Sequence, residues 1–449
     1  MVSDKDLLDI QGDIWPGLPK EFETFYLFQI KKDKVSDFKS KLKAMADDHT
    51  ITSAKDAQSK RQAKKDKKDP GVGINIAFSS KGMDELGWGR GTLKRGETLK
   101  DRSWDVGMKT DMLDQGRDDA QDWTTPDGIH GVFLICGSKA QVEEGVKLIE
   151  SRLKDAITHL DSMTGNVRPG DCRGYEHFGF KDTISQPAMD DFPNSKPEDS
   201  LPYKCAPGRI IVNRAGMMGT DHRTRLWEPE WATNGSYFVL RKMKQLVKEF
   251  HEYSKKEAKS VGMTPEELEA RFVGRWKSGA PLEKYPKEDP GPGHSGNNWM
   301  YEPWNKEVKC PFASHIRKCN PRNTNPNAPT SDESLIMRRG IPYGPECGEN
   351  ADAERGLLFG CYQSSIMNGF MLIQNRWIYN DAFPAAKAGQ DAIAGQDIKG
   401  AATEEDKMLS INLYGPDGNE KKSLRFPSFV KIRGGEYFFT PPISFFDKF

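Results

Sequence analysis

Between residues 19 and 153 the chain reads strand, helix, strand, strand, helix, and this order narrows the fold more than its composition does. Residues 19–32 (PKEFETFYLFQIKK) mix alternating and continuous apolar positions, as a strand does. Across 34–48, Val35, Phe38, Leu42 and Met45 carry the spacing of an amphipathic helix. A second strand is predicted at Ile74–Ser79, with a short helix opening at Met83–Leu86. A third strand follows over 128–136 and a helix over Lys139–Leu153. Because the series is not a strict strand–helix–strand alternation, it predicts an α+β domain with an antiparallel sheet. A weaker echo starts near Gly235, where GSYFVLRKM reads as a strand and KQLVKEFHEYSKKEAK as a helix. A second unit of the same kind is therefore expected from about residue 225, dividing the chain into 1–224 and 225–449.

Beyond these patterns, 283–334 is rich in Pro, Gly and Asn and reads as a long functional loop region. Residues 353–382 suggest a further helix or strand pair, and 427–443 a terminal strand. The charged run 55–69 (KDAQSKRQAKKDKKD) is expected to be a solvated helix end or loop rather than a contact patch. Lys+Arg and Asp+Glu both number 66, so no net charge recommends nucleic acid or an anionic membrane as a partner. No apolar run approaches the roughly 20 residues of a membrane-spanning helix. The N-terminal stretch MVSDKDLLDIQGDIW is acidic and has no apolar core of a secretory signal. The expectation is a cytosolic chain or an already processed secreted one. Seven cysteines occur without a Cys-x-x-Cys, which argues against a disulfide framework, a zinc knuckle and thioether-linked haem.

Several familiar motifs fail. Gly87-Trp88-Gly89-Arg90-Gly91 lacks the strand–turn–helix frame of a phosphate loop. His251-Glu252 begins like a zinc-protease motif, but Lys255 stands where the second ligand belongs. No Gly-x-Ser-x-Gly elbow is present, and Asn234-Gly235-Ser236 reads as a turn ahead of a strand. Of eight histidines, His177 (in EHFGFKDT) and His315 (in CPFASHIRKCNPR) have unusual settings, although position alone assigns neither a role.

The segment EHFGFKDTISQP (176–187) resembles the Gly-x-x-Asp-Gly region of the dye-decolorizing peroxidases, haem peroxidases of fungi and bacteria. Other stretches resemble fungal members of that family in order along nearly the whole chain. They include IQGDIWPGLPK (10–20), INIAFSSKGMDELG (74–87), RFVGRWKSGAPL (271–282), CPFASHIRK (310–318), IMRRGIPYGPE (336–346), RGLLFGCYQSS (355–365) and GQDAIAGQ (389–396). The resemblance implies two ferredoxin-like halves with antiparallel sheets and peripheral helices, of the dimeric α+β barrel type. It further implies haem b held non-covalently in the second half, with hydrogen peroxide as oxidant and dyes, phenols and other bulky aromatics as donors.

Carried over residue by residue, the resemblance makes His315 the iron ligand and Asp391 the acceptor that orients it, with Asp397 the nearby alternative. An iron-bound imidazole needs such an acceptor on its second nitrogen. Asp182, supplied by the first half, would move the peroxide proton, and Arg338 would stabilise charge on the cleaving O–O bond. Arg339 points elsewhere and cannot share that role. Leu357 and Phe359 would wall the pocket. Tyr343 and Trp377 are candidates for a surface electron relay, or else ordinary packing residues. One departure stands out: Thr183 replaces the last glycine of the motif. On that departure alone, a haem-binding or haem-carrier protein of the same fold with weakened peroxidase activity stays open.

Overall fold

The computed structural model describes residues 2–90, 92–94, 96–113, 118–193, 205–217, 228–323, 333–346, 348, 350, 352–397, 403–414 and 421–449. In the first half, strands β1 (Phe22–Ile30), β2 (Gly73–Phe78), β3 (Gly131–Gly137) and β4 (Ile157–Asn166) lie in the order β4-β1-β3-β2. In the second half, β5 (Ser236–Gln245), the short pair β6 (Met337–Arg338) and β7 (Ile341–Tyr343), β8 (Gly356–Gln363) and β11 (Val430–Thr440) repeat that order as β11-β5-β8-β6, with β7 also on β8. Every pairing is antiparallel. Both halves therefore have the expected ferredoxin-like arrangement. The expected boundary at 224/225 lies outside the described residues.

The two sheets are not separate. They join into one nine-stranded sheet where β2 meets β11 at Phe78 opposite Phe439. The free edges also approach each other: a Cβ added to Gly165 of β4 would stand 2.5 Å from Ile341 Cγ2 and 2.6 Å from the Pro342 carbonyl. Only a residue without a side chain lets β4 close on β7 in this way.

Burial on both sides of β1 explains its continuous apolar run. Phe25 and Leu27 face the interior shared by the halves, with Phe238, Leu240, Leu358 and Phe438. Tyr26, Phe28 and Ile30 face the helical layer, with Phe38, Leu42 and Met45 of the helix Val35–Asp47. Phe25 stacks on Phe238 across the halves at 6.2 Å between centroids. Each such fully buried aromatic contributes about 1.5–3 kcal/mol. The helix Lys139–Leu153 buries Val142, Ile149 and Leu153 and is N-capped reciprocally by Ser138 and Gln141.

Three segments differ from expectation. The charged run forms a regular helix, Ala54–Lys65, because Ser53 and Asp56 make a capping box; Ala54 and Ala57 are its buried residues. Residues 353–382 hold β8 and a π-helical stretch, Leu372–Ile378. Strand β4 gave no sequence signal because a register shift opposite Leu27/Phe28 breaks its inward–outward alternation. A β9–β10 hairpin (Leu409–Tyr414, Lys421–Phe426) packs beside the second half. Among the described residues, no helix is long and apolar enough to cross a membrane.

Candidate active site

A large cavity opens between the second-half sheet and the largely irregular segment 274–323, and the loop 174–187 of the first half closes it from the other side. Strand β8 turns Leu357 and Phe359 into this cavity, two residues apart and so on one face. Phe370 and Ile378 add to its apolar walls.

On one wall, His315 opens a single helical turn, His315–Cys319. The turn is pinned by its own cations. Arg317 lies between the rings of Tyr301 (4.2 Å) and Phe312 (4.4 Å), and Lys318 Nζ donates to the carbonyls of Asn380 (2.7 Å) and Phe383. His315 Nδ1 stands 2.9 Å and 3.2 Å from the two Asp391 oxygens. Asp391 is fully buried and also accepts from the backbone N–H groups of Ile393 (2.8 Å) and Ala394 (2.7 Å). Burial alone would raise the Asp391 pKa, but His315 and these two donors hold it below the ordinary carboxylate range. Burial likewise opposes charge on His315, and the Asp391 carboxylate overrides it, holding the imidazole well above its usual pKa. With Nδ1 committed to Asp391, Nε2 is the nitrogen left for a metal. Asp397 is engaged elsewhere, accepting from Ser428 N–H (2.8 Å) and pairing with Lys431 (3.2 Å).

The loop from the first half supplies Asp182. Glu176 folds the loop by accepting from Phe178 N–H (2.8 Å) and Phe180 N–H (2.7 Å), with Gly179 at φ 93°. Asp182 N–H then donates to the Gly174 carbonyl at 3.0 Å. Strand β6 supplies Arg338, whose Nη1 donates to Asp182 Oδ1 (2.5 Å) and Nη2 to the Ile184 carbonyl (2.6 Å). Gln186 holds the Arg338 backbone through both its N–H and its C=O, each at 3.1 Å. Burial would lower the Arg338 pKa, but Asp182 raises it, so the guanidinium stays charged. Arg339 turns to the N-terminal segment and donates to the carbonyls of Asp13 (2.7 Å) and Ile14 (3.1 Å).

The concern over Thr183 does not survive. The left-handed non-glycine residue of this loop is Ser185 (φ 71°), and Thr183 is exposed. Nothing in its backbone requires glycine, so the one support for a disabled carrier is gone.

The expected surface relay also needs correction, because neither aromatic is at the surface. Trp377 is 3% exposed and stacks on Phe383 at 5.5 Å; Tyr343 is 8% exposed and donates to Glu354 Oε1 at 3.0 Å. His177 is structural: its Nε2 donates to the Tyr343 carbonyl at 2.9 Å, and burial together with Arg168 lowers its pKa to about 4.

Other residues of the site passed unread within the quoted motifs. Arg275 and Arg322 reach the cavity and share Asn297 Oδ1 (3.0 and 2.5 Å), and Arg322 lies 3.9 Å over the Trp299 ring. Burial and the neighbouring Arg322 cation lower the Arg275 pKa to about 10. Cys319 sets its sulfur 3.6 Å from His315 Nδ1. The chemistry of this donor set fits a haem: an oriented imidazole on one wall, apolar sides, and arginines that would balance anionic propionates. Buried polar atoms on the lining, Asn320 Oδ1 and Ser334 Oγ, have no hydrogen-bond partner among the described residues, as expected where a bound group completes the site.

Comparison with known proteins decides the family. Residues 9–169 match the family described as the DyP dimeric alpha+beta barrel domain, and residues 219–386 match the Dyp-type peroxidase C-terminal family. The chain belongs to the DyP-type peroxidases. A dye-decolorizing peroxidase of Mycetinis scorodonius is 34% identical over 98% of this chain and 86% of its own length. One from Auricularia auricula-judae is 34% identical over 97% and 85%. A solved structure of an ancestral D-type dye-decolorizing peroxidase superposes with a TM-score of 0.84 at 36% identity, covering 98% of each chain. The protein is accordingly a peroxidase of the DyP type, from a family of haem enzymes that use hydrogen peroxide and oxidise dyes.

Proposed function

We propose that this DyP-type peroxidase holds haem b non-covalently on His315 and uses hydrogen peroxide for one-electron oxidation of dyes, phenols and other bulky aromatics. The observation that carries the reading is the pairing of His315–Asp391 on one wall with Asp182–Arg338 on another wall of the same cavity. Bound haem supplies the two-electron reduction of peroxide and is restored by two donor molecules. Asp391 holds His315 in the tautomer with Nδ1–H, which keeps Nε2 unprotonated for the metal and strengthens it as a donor. Leu357 and Phe359 exclude bulky molecules and most water from the cavity. Arg338 fixes Asp182 through Oδ1, leaving Oδ2 to take the first peroxide proton and return it to the leaving oxygen. The remaining N–H groups of Arg338 would meet the charge that develops as the O–O bond breaks. The absence of Cys-x-x-Cys-His favours non-covalent retention.

The test is rapid mixing of haem-loaded protein with one equivalent of hydrogen peroxide. Wild type changes its Soret band within the mixing time. Asp182→Asn binds haem normally but reacts slower by about 10²–10⁴-fold, the usual value of a positioned acid–base. An unchanged rate in Asp182→Asn overturns its assignment.

A further inference from the structure

Three side chains of metal-ligand type meet on the wall that carries His315. The single turn His315–Cys319 sets its first and last residues four apart, on one face, and Asp391 completes the group. Cys319 Sγ stands 3.6 Å from His315 Nδ1 and 3.9 Å from Asp391 Oδ2, and Nδ1 stands 2.9 Å from that oxygen. Among the described residues this is the one group of three such side chains close enough to hold a metal ion. A tetrahedral zinc ion with one sulfur and two nitrogen or oxygen ligands spaces those atoms about 3.3–3.6 Å apart, so each separation here needs to change by less than about half an ångström.

The group is not already filled by a cationic side chain. Among the described residues the only ion pair of Asp391 is with His315, and Lys318 turns its ammonium to the carbonyls of Asn380 and Phe383. A second buried thiol–carboxylate cluster is different: Cys136 donates to Glu23 Oε1, and Lys20 Nζ stands 2.7 Å from Glu23 Oε2 and 3.8 Å from Asp13. At the His315 triad a dication would be balanced by one thiolate and one carboxylate, a neutral sum that suits a buried wall. Sulfur and imidazole together favour a borderline-soft ion such as zinc over magnesium or calcium. His315 and Cys319 line the cavity, which gives the ion its path in.

Such an ion and haem iron cannot share His315. Bound through Nδ1, a neutral imidazole carries its proton on Nε2, the nitrogen that iron needs. Bound to iron through Nε2, it keeps its proton on Nδ1, facing Asp391 and closing the triad. Resting on the assignment of His315 to haem made above, we propose that His315, Cys319 and Asp391 bind a zinc-class divalent cation in the haem-free chain, and that this cation and haem exclude each other. Binding releases the Cys319 thiol proton to solvent and displaces the Nδ1 proton of His315, leaving Nε2 protonated. Haem loading thereby depends on the supply of free cation.

The test uses the full-length chain freed of haem, with cobalt(II) as a coloured substitute for zinc. Cobalt gives a thiolate charge-transfer band in wild type and in Cys172→Ser, which removes a partly exposed thiol elsewhere, but none in Cys319→Ser. Zinc displaces the cobalt and abolishes the band. In wild type, added haem also abolishes it as the histidine-ligated ferric spectrum develops. Zinc held at about ten times its own dissociation constant weakens apparent haem affinity about tenfold in wild type, and a chelator restores it. Cys319→Ser, whose haem titration also shows that it folds, has the same haem affinity with and without zinc. No band in wild type, a band that survives in Cys319→Ser, or wild-type haem binding that zinc leaves unchanged overturns the proposal. A histidine-ligated ferric spectrum that persists in His315→Ala refutes the haem reading instead, and the two failures separate because the cobalt band is recorded without haem.

Discussion

Asp391→Asn isolates the role of the proximal carboxylate. Three donors converge on it: His315 Nδ1 at 2.9 Å and two backbone N–H groups at 2.8 and 2.7 Å. An asparagine keeps one acceptor oxygen and gains an NH2. If that oxygen stays with the Ile393 and Ala394 amides, the NH2 meets His315 Nδ1, donor against donor. The imidazole then shifts its proton to Nε2, the wrong tautomer for an iron ligand. Loss of such an outer partner costs about 10–100-fold in metal affinity, equivalent to about 1.4–2.7 kcal/mol. The folded chain loses about 1–3 kcal/mol more if a buried donor is left unsatisfied. Haem transfer to excess apomyoglobin reads the affinity, and urea unfolding of the same samples reads the fold. Asp391→Asn releases haem at least tenfold faster while still unfolding cooperatively. A variant that keeps haem as tightly as wild type, with an unchanged ferric spectrum, refutes the tautomer argument.

Three further outcomes follow from the same geometry. Arg338→Lys keeps a charge but loses the fork that spans Asp182 and Ile184; its reaction with peroxide slows by about 10²-fold in stopped flow. Thr183→Gly leaves that rate within about twofold of wild type and lowers stability by less than about 1 kcal/mol, because an exposed, unstrained position becomes more flexible when unfolded; a large acceleration contradicts this account. For His177, the folded pKa of about 4 lies below the ordinary 6.5, so the unfolded chain binds the proton more readily. Its contribution is complete above about pH 6.5 and fades as pH falls toward 4, by about 3 kcal/mol at most. His177→Gln flattens the pH dependence of unfolding in that window, and an unchanged slope refutes the assignment.

What could be read from the chain depended on whether the signal was local. Phe38, Leu42 and Met45 mark their helix through spacing that neighbouring residues enforce, and the β1 run follows from burial on both faces. The junction of β2 with β11 joins residues 78 and 439 and leaves no periodic trace. Strand β4 was silent because its register shift erases alternation. At the site, motif resemblance singled out His315, Asp391, Asp182 and Arg338. Their pairing across 76 and 156 residues emerges only on folding. Arg275 and Arg322 sat inside quoted motifs unread, because nothing in a linear segment tells which side chains face a cavity. The relay expectation erred for a related reason: burial of Tyr343 and Trp377 is a property of the packed fold, and aromatic residue type does not reveal it.

If His315 and Asp182 serve one peroxide-reducing haem, the visible spectra of haem-loaded wild type, His315→Ala and Asp182→Asn before and after one equivalent of hydrogen peroxide differ in a defined way. Wild type has a histidine-ligated ferric spectrum that peroxide shifts at once and two equivalents of a one-electron donor restore. His315→Ala loses that ligation, whereas Asp182→Asn retains it but responds slowly. A wild-type haem spectrum that peroxide does not alter, or one that His315→Ala leaves intact, contradicts the claim.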